Sequence, residues 1–332
     1  MKNILIMGCG FMGKTHGTAY KNIGNNKIFA AEANESSAEA YAKEYDCLVY
    51  PDMDEALKNE DIDIIDICLP TFLHEEYALK ALASGKHVLL EKPMALSLES
   101  AERIIAAAKS AEGSFMMAQV LRFWPEYAKT KKYIDDGALG KIAYMNAKRL
   151  SQHPNWSPWF RDPSRSGGGL YDLMMHDVDY ANYLFGCAKT VYAVGHKNEI
   201  GAWNDIAASF EFPCGAYAAI ESQIDMTKDY PFSMDLRVMG DKGTVDFKFS
   251  AGFNLEDRDS ATNSYVLYTD SEEPEQPAFE HPDAYEVELK YYLECIEKGE
   301  KPTIITPDSS LDSMRMIDAV LRSLESGEKI IL

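Results

Sequence analysis

The sequence is poor in basic residues, and it has no paired-cysteine motif and no long apolar run. Its 53 acidic residues outnumber 33 basic ones and give a formal charge of −20. Nucleic acids and anionic membranes both require basic patches, so neither is expected as a partner. The six scattered cysteines predict reduced thiols. The apolar run Ile4–Met7 is too short for a signal peptide, and we expect a cytoplasmic protein.

Strand-like and helix-like stretches alternate over about the first 120 residues. Short apolar runs such as Asn3–Gly8 and Ile62–Leu69 are separated by helix-like stretches such as Ser97–Ala111. This alternation predicts a parallel, doubly wound sheet. The predicted fold class is therefore α/β, with a doubly wound parallel sheet in a first domain over residues 1–121.

The later part of the chain has longer strand-like runs joined by turns. Runs such as Ala216–Asp225 favour a mainly antiparallel sheet in an α+β domain over residues 122–332. The acidic segment 255–282 contains prolines and is expected to cross the surface without regular structure. Two closing helices are predicted, at about Ala284–Lys298 and Pro307–Ser326.

A glycine-rich loop follows the first predicted strand. Gly8, Gly10 and Gly13 form a GxGxxG motif that opens a helix, where glycines permit close backbone approach to a pyrophosphate. Glu32 lies about 20 residues further on, at the end of the next strand, where a carboxylate holds the adenosine ribose hydroxyls. A carboxylate repels a 2′-phosphate, and residues 33–37 offer no lysine or arginine to bind one. The sequence therefore favours NAD over NADP.

A Glu91-Lys92-Pro93 motif follows the fourth predicted strand. The proline biases Lys92 toward an extended backbone. Lys92 would then lie at the carboxyl end of a central parallel strand, which is the edge where open α/β sheets bind ligands.

A second polar constellation follows three consecutive glycines at 167–169. Asp172, His176 and Asp179 are spaced by four and three residues, and this spacing aligns them on one face of a helix. An isolated D-x-x-x-H is more often a structural polar pair. The spacing alone therefore leaves structural and catalytic interpretations open.

Several of these motifs together resemble the Gfo/Idh/MocA family of nicotinamide-dependent oxidoreductases, over essentially the whole chain. The matching stretches are GCGFMG at 8–13, LPTFLHEEYALKALASGKHVLLEKP at 69–93, RFWPEY at 122–127 and SGGGLYDLMMHDVDYANYLFG at 166–186. The resemblance implies a Rossmann domain followed by an open, mainly antiparallel sheet. It also implies a final helix, about 307–326, that packs back on the first domain, and homodimers or homotetramers formed through the sheet.

The resemblance assigns catalytic positions to Lys92, Asp172 and His176. In this interpretation His176 takes the hydroxyl proton, Lys92 stabilises the oxygen, and Asp172 orients both groups. The cofactor-binding residues that it implies are Gly8, Gly10, Phe11, Met12, Gly13, Glu32, Leu69, Pro70, Thr71, His74, Glu91, Lys92 and Gln119. The substrate-binding residues that it implies are Lys92, Arg122, His153, Asp172, His176 and Asp179. Further candidates are Arg161, Trp156 and Trp159, with core packing as the alternative for the tryptophans.

The activity that these features predict is NAD-dependent hydride transfer at a secondary hydroxyl of a cyclic polyol or sugar, of the inositol or aldose type. Two alternatives stay open: an NAD-dependent glycosidase of the same fold, and a non-catalytic protein that senses dinucleotides. No metal is predicted, because the sequence has neither HExxH nor a Cys/His ligand set. Phe72 replaces a common asparagine, and Met174 and Met175 replace small residues, which predicts altered contacts and a narrower pocket.

Overall fold

The computed structural model describes residues 1–153, 158–251, 261–270, 272–280 and 282–332. The chain divides into two compact units. Unit 1 comprises residues 1–123 and 281–311, and unit 2 comprises residues 124–280 and 312–332. None of the helices in these described ranges is long and apolar enough to cross a membrane.

The elements have the following bounds. The strands are β1 (Lys2–Met7), β2 (Asn26–Ala31), β3 (Leu48–Tyr50), β4 (Ile64–Ile67), β5 (His87–Leu90), β6 (Phe115–Met117), β7 (Ile142–Gln152), β8 (Thr190–Lys197), β9 (Trp203–Glu211), β10 (Tyr217–Met226), β11 (Ser233–Gly240), β12 (Gly243–Ser250), β13 (Thr262–Thr269), β14 (Glu272–Glu275) and β15 (Ile330–Ile331). The α-helices are α1 (Phe11–Ile23), α2 (Glu35–Tyr45), α3 (Met53–Ala56), α4 (His74–Ala83), α5 (Leu98–Ser110), α6 (Pro125–Asp135), α7 (Pro163–Ser166), α8 (Met175–Phe185), α9 (Ala284–Lys298) and α10 (Pro307–Ser326). The 3₁₀ turns are Thr71–Leu73, Val120–Arg122 and Pro158–Arg161, and a π-helical turn spans Leu170–Met174.

Unit 1 is built on a six-stranded parallel sheet in the order β3-β2-β1-β4-β5-β6. Its central strands are apolar and inaccessible on both faces, as in Ile4–Met7 of β1. The strand order reverses between β1 and β4, and ligands of doubly wound sheets bind at the carboxyl ends flanking such a point. The predicted α/β class is confirmed, and Gly8, Leu69 and Glu91 follow the ends of β1, β4 and β5.

Helix α9 returns to unit 1 from the far end of the chain. Its Tyr292 hydroxyl contacts the carbonyl oxygens of Val88 at 2.9 Å and Ser114 at 2.7 Å, so it joins β5 to the start of β6. The predicted division placed all of 122–332 in the second domain, and the grouping of 281–311 with unit 1 differs from it. The amphipathic pattern of α9 predicts a buried face but not which sheet buries it.

Unit 2 is built on a nine-stranded sheet in the order β14-β13-β12-β11-β7-β10-β9-β8-β15. Strands β7 and β10 pair in parallel, and the other neighbours pair antiparallel. The expectation of irregular structure over 255–282 is wrong for β13 and β14, which lie inside that segment. Tyr265 and Leu267 of β13 are buried, so apolar residues facing the core outweigh the surrounding acids and prolines.

The two faces of this sheet differ in burial. Along β10, Ala218, Ile220 and Ile224 are buried, whereas Tyr217 points to the opposite face and is 49% exposed. The π-helical turn and α8 pack on the buried side of β10. Within unit 2, the Ser323 hydroxyl of α10 accepts a 2.9 Å hydrogen bond from Ala193 of β8. The first turn of α10 groups with unit 1 and the rest with unit 2, and packing of this helix on the first domain stays a prediction.

Candidate functional site

The glycine loop of unit 1 turns directly from β1 into α1. A Cβ added to Gly13 would lie 1.9 Å from the carbonyl oxygen of Gly8, so only glycine fits there. The first turn of α1 contains no acid, which leaves its amide groups and positive dipole end available to an anion. Within the loop Phe11 is 44% exposed and Met12 is half-buried. This arrangement fits a dinucleotide pyrophosphate.

Glu32 is tied to that loop by its carboxylate. Its Oε2 accepts from the backbone N–H of Cys9 at 2.9 Å, and its Oε1 accepts from that of Asn34 at 2.8 Å. These two amides fix the carboxylate at the carboxyl end of β2, beside Gly8 and Gly10. Each oxygen keeps a second lone pair for a hydroxyl donor.

The segment after β4 is held by a buried histidine. Leu69, Thr71 and His74 are buried and Pro70 is half-buried. The ring nitrogens of His74 both lie 2.8 Å from carbonyl oxygens, Nδ1 from that of Pro93 and Nε2 from that of Leu69. Burial lowers the pKa of His74 below its usual value, against the opposing effect of the two carbonyl contacts. The His74 ring thus lies between the segment after β4 and the segment after β5 and contacts both.

The Glu91-Lys92-Pro93 turn follows β5 and has a cis peptide bond between Lys92 and Pro93. Glu91 is only 5% exposed, and its Oε2 accepts from the backbone N–H of Lys92 at 2.9 Å. Lys92 itself is half-buried. Gln119, after β6, is buried, and its backbone N–H donates to Glu288 of α9 at 2.5 Å.

Asp172 and His176 lie on a stretch that begins with a π-helical turn, not the continuous α-helix that their spacing predicts. Gly168 precedes it with φ +68°, and the N–H of Gly169 donates to Asn204 at 2.8 Å. From Gly168 to Asn182, Asp172 and His176 are the two partly accessible residues in a run of otherwise buried ones. Both side chains are therefore partly accessible at the surface of unit 2, on the same side of the helical stretch. Widened π turns of this kind are common at functional sites.

The other acids of this helix are buried. Asp177 forms a two-pronged ion pair with Arg149 of β7, at 2.9 Å to Nε and 3.0 Å to Nη2. Asp179 is 1% exposed, and its Oδ1 accepts from the hydroxyl of Ser313 at 2.8 Å. Substrate contact by Asp179 stays a prediction, while its contact with Ser313 is the kind that the structural alternative requires.

Arg122 is buried in unit 1. Its Nη1 donates to the carbonyl of Ile304 at 2.7 Å and to the hydroxyl of Ser309 at 3.1 Å, and the side chain is 3% exposed. These contacts fasten the end of the β6 segment to the stretch that leads into α10. Its predicted role as a substrate contact stays a prediction.

His153 belongs to a hydrogen-bonded cluster centred on Asp225 of β10. Asp225 accepts from His153 Nδ1 at 2.8 Å, from Asn198 at 2.9 Å and from Asn204 at 2.8 Å. Burial acts to raise the pKa of Asp225, but donation from the two asparagines and the histidine outweighs it and lowers the pKa. Since Asn204 also holds Gly169, the cluster links His153 to the glycines before Asp172.

Sequence reasoning did not find Asp225 or Asn204, because neither stands in a motif. The pairing of β10 with β9 brings Asp225 near Asn204, and the pairing of β10 with β7 brings it near His153. Of the other candidates, Arg161 is exposed and Trp159 is half-buried. Trp156 lies outside the described residues.

One group of possible metal ligands occurs among the described residues: His16, Asp66 and Cys68, all buried in unit 1. His16 Nδ1 and Asp66 Oδ2 are 2.8 Å apart and form a hydrogen bond. Burial, followed by the charge of Asp66, raises the pKa of the Cys68 thiol, and a protonated thiol is a poor ligand. The geometry is that of a buried hydrogen-bonded cluster.

Comparison with known proteins gives the same family for both units. Residues 2–119 match the Gfo/Idh/MocA oxidoreductase family, NAD-binding Rossmann fold, and residues 127–246 match the Gfo/Idh/MocA C-terminal domain. Inositol 2-dehydrogenase of Rhizobium meliloti is 27% identical over 335 residues, covering 98% of this chain and 97% of that protein. The scyllo-inositol 2-dehydrogenase (NAD(+)) of Bacillus subtilis is 27% identical over 326 residues, covering 92% and 90%.

A solved structure of levoglucosan dehydrogenase in complex with NADH has the same fold. It superposes with a TM-score of 0.85 at 22% identity and covers 99% of this chain and 98% of its own. The resemblance expected from the motifs is confirmed. The chain belongs to the Gfo/Idh/MocA family of oxidoreductases.

Proposed function

We propose that the protein is an NAD-dependent dehydrogenase that acts on a secondary hydroxyl of a cyclic polyol or sugar, of the inositol or aldose type. The observation that carries this proposal is the pair Asp172 and His176, partly accessible within an otherwise buried helical stretch. The glycine loop with Glu32, and Lys92 at the end of β5, supply the cofactor side. The inositol dehydrogenases among its relatives support the substrate class.

A bound nicotinamide would supply the acceptor for the hydride of the carbinol carbon, and the hydride donor in the reverse reaction. His176 takes the hydroxyl proton, for which an imidazole is suited near neutral pH. Lys92 donates a hydrogen bond to the same oxygen and stabilises the negative charge that develops on it. Asp172 accepts a hydrogen bond from the substrate and orients these groups.

The preference for NAD over NADP is part of the proposal and rests on Glu32. Two backbone amides hold its carboxylate beside the loop, so it cannot swing away to admit a 2′-phosphate without losing both hydrogen bonds. Repulsion between the carboxylate and a phosphate then disfavours NADP. Gly8, Gly10 and Gly13 would hold the pyrophosphate at the start of α1.

A homo-oligomer formed through the sheet of unit 2 is also proposed. The face of this sheet opposite α8 carries exposed Tyr192, Val194, Tyr217 and Met239, at 45%, 52%, 49% and 39%. A second copy would remove this apolar surface from water. All six cysteines are free thiols, which suits the cytoplasmic location that we propose.

The test is turnover of a panel of inositols, aldoses and sugar acids with NAD⁺ or NADP⁺ at mildly alkaline pH, followed by near-ultraviolet absorbance of the reduced cofactor. Lys92→Ala should abolish turnover. Lys86→Ala is the matched control, because Lys86 is a half-buried lysine of unit 1 that bonds the carbonyl of Ile62 and has no proposed role. NADH binding without turnover across the panel would instead favour the glycosidase or the dinucleotide sensor.

A further inference from the structure

Unit 1 contains a buried group of ionisable side chains that the proposed reaction does not use. His16 comes from α1, Asp66 from β4, Glu91 from the end of β5 and Glu288 from α9. His16, Asp66 and Glu288 are fully buried, and Glu91 is 5% exposed. Buried charges are costly unless they are paired, so a group of this size in one core requires an explanation.

His16 lies between two carboxylates. Its Nδ1 is 2.8 Å from Asp66 Oδ2, and its Nε2 is 3.2 Å from Glu91 Oε1. The Nδ1 contact is a hydrogen bond, whereas Nε2 has an ion-pair contact without a hydrogen bond. Carboxylate oxygens only accept, so the Asp66 contact requires a proton on Nδ1, and a carboxylate on either side of the ring favours the imidazolium. Burial acts to lower the pKa of His16, but the charges of Asp66 and Cys68 and the hydrogen bonds with both side chains together outweigh it and raise the pKa well above the usual value.

Glu91 links His16 to the Glu91-Lys92-Pro93 turn. Its Oε1 faces His16, and its Oε2 accepts from the backbone N–H of Lys92 at 2.9 Å. The carboxylate therefore has an ion-pair contact with His16 of α1 at one oxygen and a hydrogen bond from the Lys92 amide at the other. Loss of the imidazolium would free Glu91 to rotate and would release the Lys92 amide.

His74 holds the turn from its other end. Its Nδ1 contacts the carbonyl oxygen of Pro93 at 2.8 Å, and its Nε2 contacts that of Leu69 at 2.8 Å. Glu91, Lys92 and Pro93 thus each have a polar contact inside unit 1. Two of these contacts end on buried histidines from α1 and α4.

We propose that His16 and His74 are positioning residues that fix the Glu91-Lys92-Pro93 turn from its two ends and so set the position of the Lys92 side chain. The catalytic consequence rests on the proposed function. A displacement of about 1 Å in a reacting group can cost about 100-fold in rate, so loss of either histidine contact would lower kcat. Since α1 also begins at the glycine loop, one helix would hold both the cofactor phosphates and the turn.

The experiment compares His16→Gln, His74→Gln and wild type by hydrogen exchange of the Lys92 amide and by kinetics. Pro93 has no amide proton, so overlapping peptides that end on either side of Lys92 isolate its exchange. Tyr45→Phe is the control, because it removes hydrogen bonds with Lys14 and Thr18 of α1 without touching the turn. If His16→Gln does not fold, Glu91→Gln tests the contact between His16 and Glu91 by changing the carboxylate instead.

We expect exchange of the Lys92 amide to rise at least tenfold in His16→Gln. In both histidine variants kcat should fall about 10- to 100-fold, while NADH affinity by fluorescence stays within about threefold. Normalising by the NADH-binding titration removes any unfolded fraction. Deuterium at the reacting carbon of the substrate should reveal a larger isotope effect than in wild type.

Two results would overturn the proposal. One is unchanged exchange at Lys92 with unchanged kcat, and the other is faster exchange spread evenly over unit 1, which would indicate a general loss of stability. Wild-type protein that turns over no substrate contradicts the proposed function instead. In that case the exchange at Lys92 still decides whether the histidines hold the turn.

Discussion

Replacing Asp177 with alanine is expected to destabilise unit 2 strongly, although its neighbour His176 is the residue assigned to chemistry. Asp177 meets Arg149 through two hydrogen bonds of 2.9 and 3.0 Å, with 0% and 4% of the two side chains exposed. Arg149 keeps its charge when the partner is removed, because an arginine does not lose its proton in a protein. The alanine variant therefore leaves a buried, unpaired guanidinium.

Breaking such a pair costs about 3–5 kcal/mol in the free energy of unfolding. For a domain of 150–250 residues, each kcal/mol lowers Tm by about 2–4 °C, so Asp177→Ala should lower it by about 6–20 °C. The double variant Arg149→Met, Asp177→Leu removes both charges and should regain most of this loss. Thermal melting followed by circular dichroism measures all three proteins.

The contrasting variants are Asp172→Ala and His176→Ala. Both side chains are partly accessible, so we expect changes of about 0.5 kcal/mol or less, together with loss of turnover. A Tm that falls by less than about 2 °C in Asp177→Ala would show that the buried ion pair with Arg149 contributes little to stability. A double variant no more stable than the single one would contradict the predicted cost of the unpaired guanidinium.

Three further predictions concern single side chains. Glu32→Gln should raise the ratio of kcat/KM with NADP⁺ to that with NAD⁺ at least tenfold, since it removes the repelling charge, and an unchanged ratio contradicts the role of Glu32. Burial, and then the charge of Glu91, raises the pKa of Glu288 well above its usual value. At pH values between the unfolded and folded pKa of Glu288, only the folded chain holds this proton. The free energy of unfolding of the wild type should therefore fall by about 1.4 kcal/mol per pH unit relative to that of Glu288→Gln. Denaturant unfolding at several pH values measures the difference, and parallel plots of unfolding free energy against pH would contradict it. Asp225→Ala should raise KM for the polyol at least tenfold with NADH affinity unchanged, because His153 and Asn204 lose their shared acceptor. Steady-state kinetics measure KM, and fluorescence titration measures NADH affinity. An unchanged KM would show that the Asp225 cluster has no part in substrate binding.

Local pattern was enough to predict the sheet of unit 1 and the helices α9 and α10. Strands β1 and β5 are short apolar runs next to glycine turns, and this pattern predicts buried strands. Strands β13 and β14 were missed because their segment is acidic and contains prolines, although Tyr265–Leu267 is a short run of buried residues. The π-helical turn at Leu170–Met174 was not predicted, because the apolar and polar pattern of these residues does not distinguish a single π turn from an α turn.

The residues of the candidate site also differ in whether a local sequence pattern predicts them. Lys92, Asp172 and His176 stand in motifs, and sequence resemblance reaches them. The supporting contacts are non-local: His16 meets Asp66 across 50 residues, and Gln119 meets Glu288 across 169. No local pattern marks a residue whose role depends on a partner so distant in the chain.

The most direct test of the central claim is the fate of the hydrogen on the reacting carbon. A cyclic polyol or sugar that supports turnover is prepared with deuterium on its secondary carbinol carbon and incubated with NAD⁺ and the protein. Hydride transfer predicts that one deuterium appears in the nicotinamide of the reduced cofactor, measured by mass spectrometry, and that Lys92→Ala abolishes the transfer. Turnover with the deuterium found in water or left on the sugar would contradict hydride transfer as the reaction of this protein.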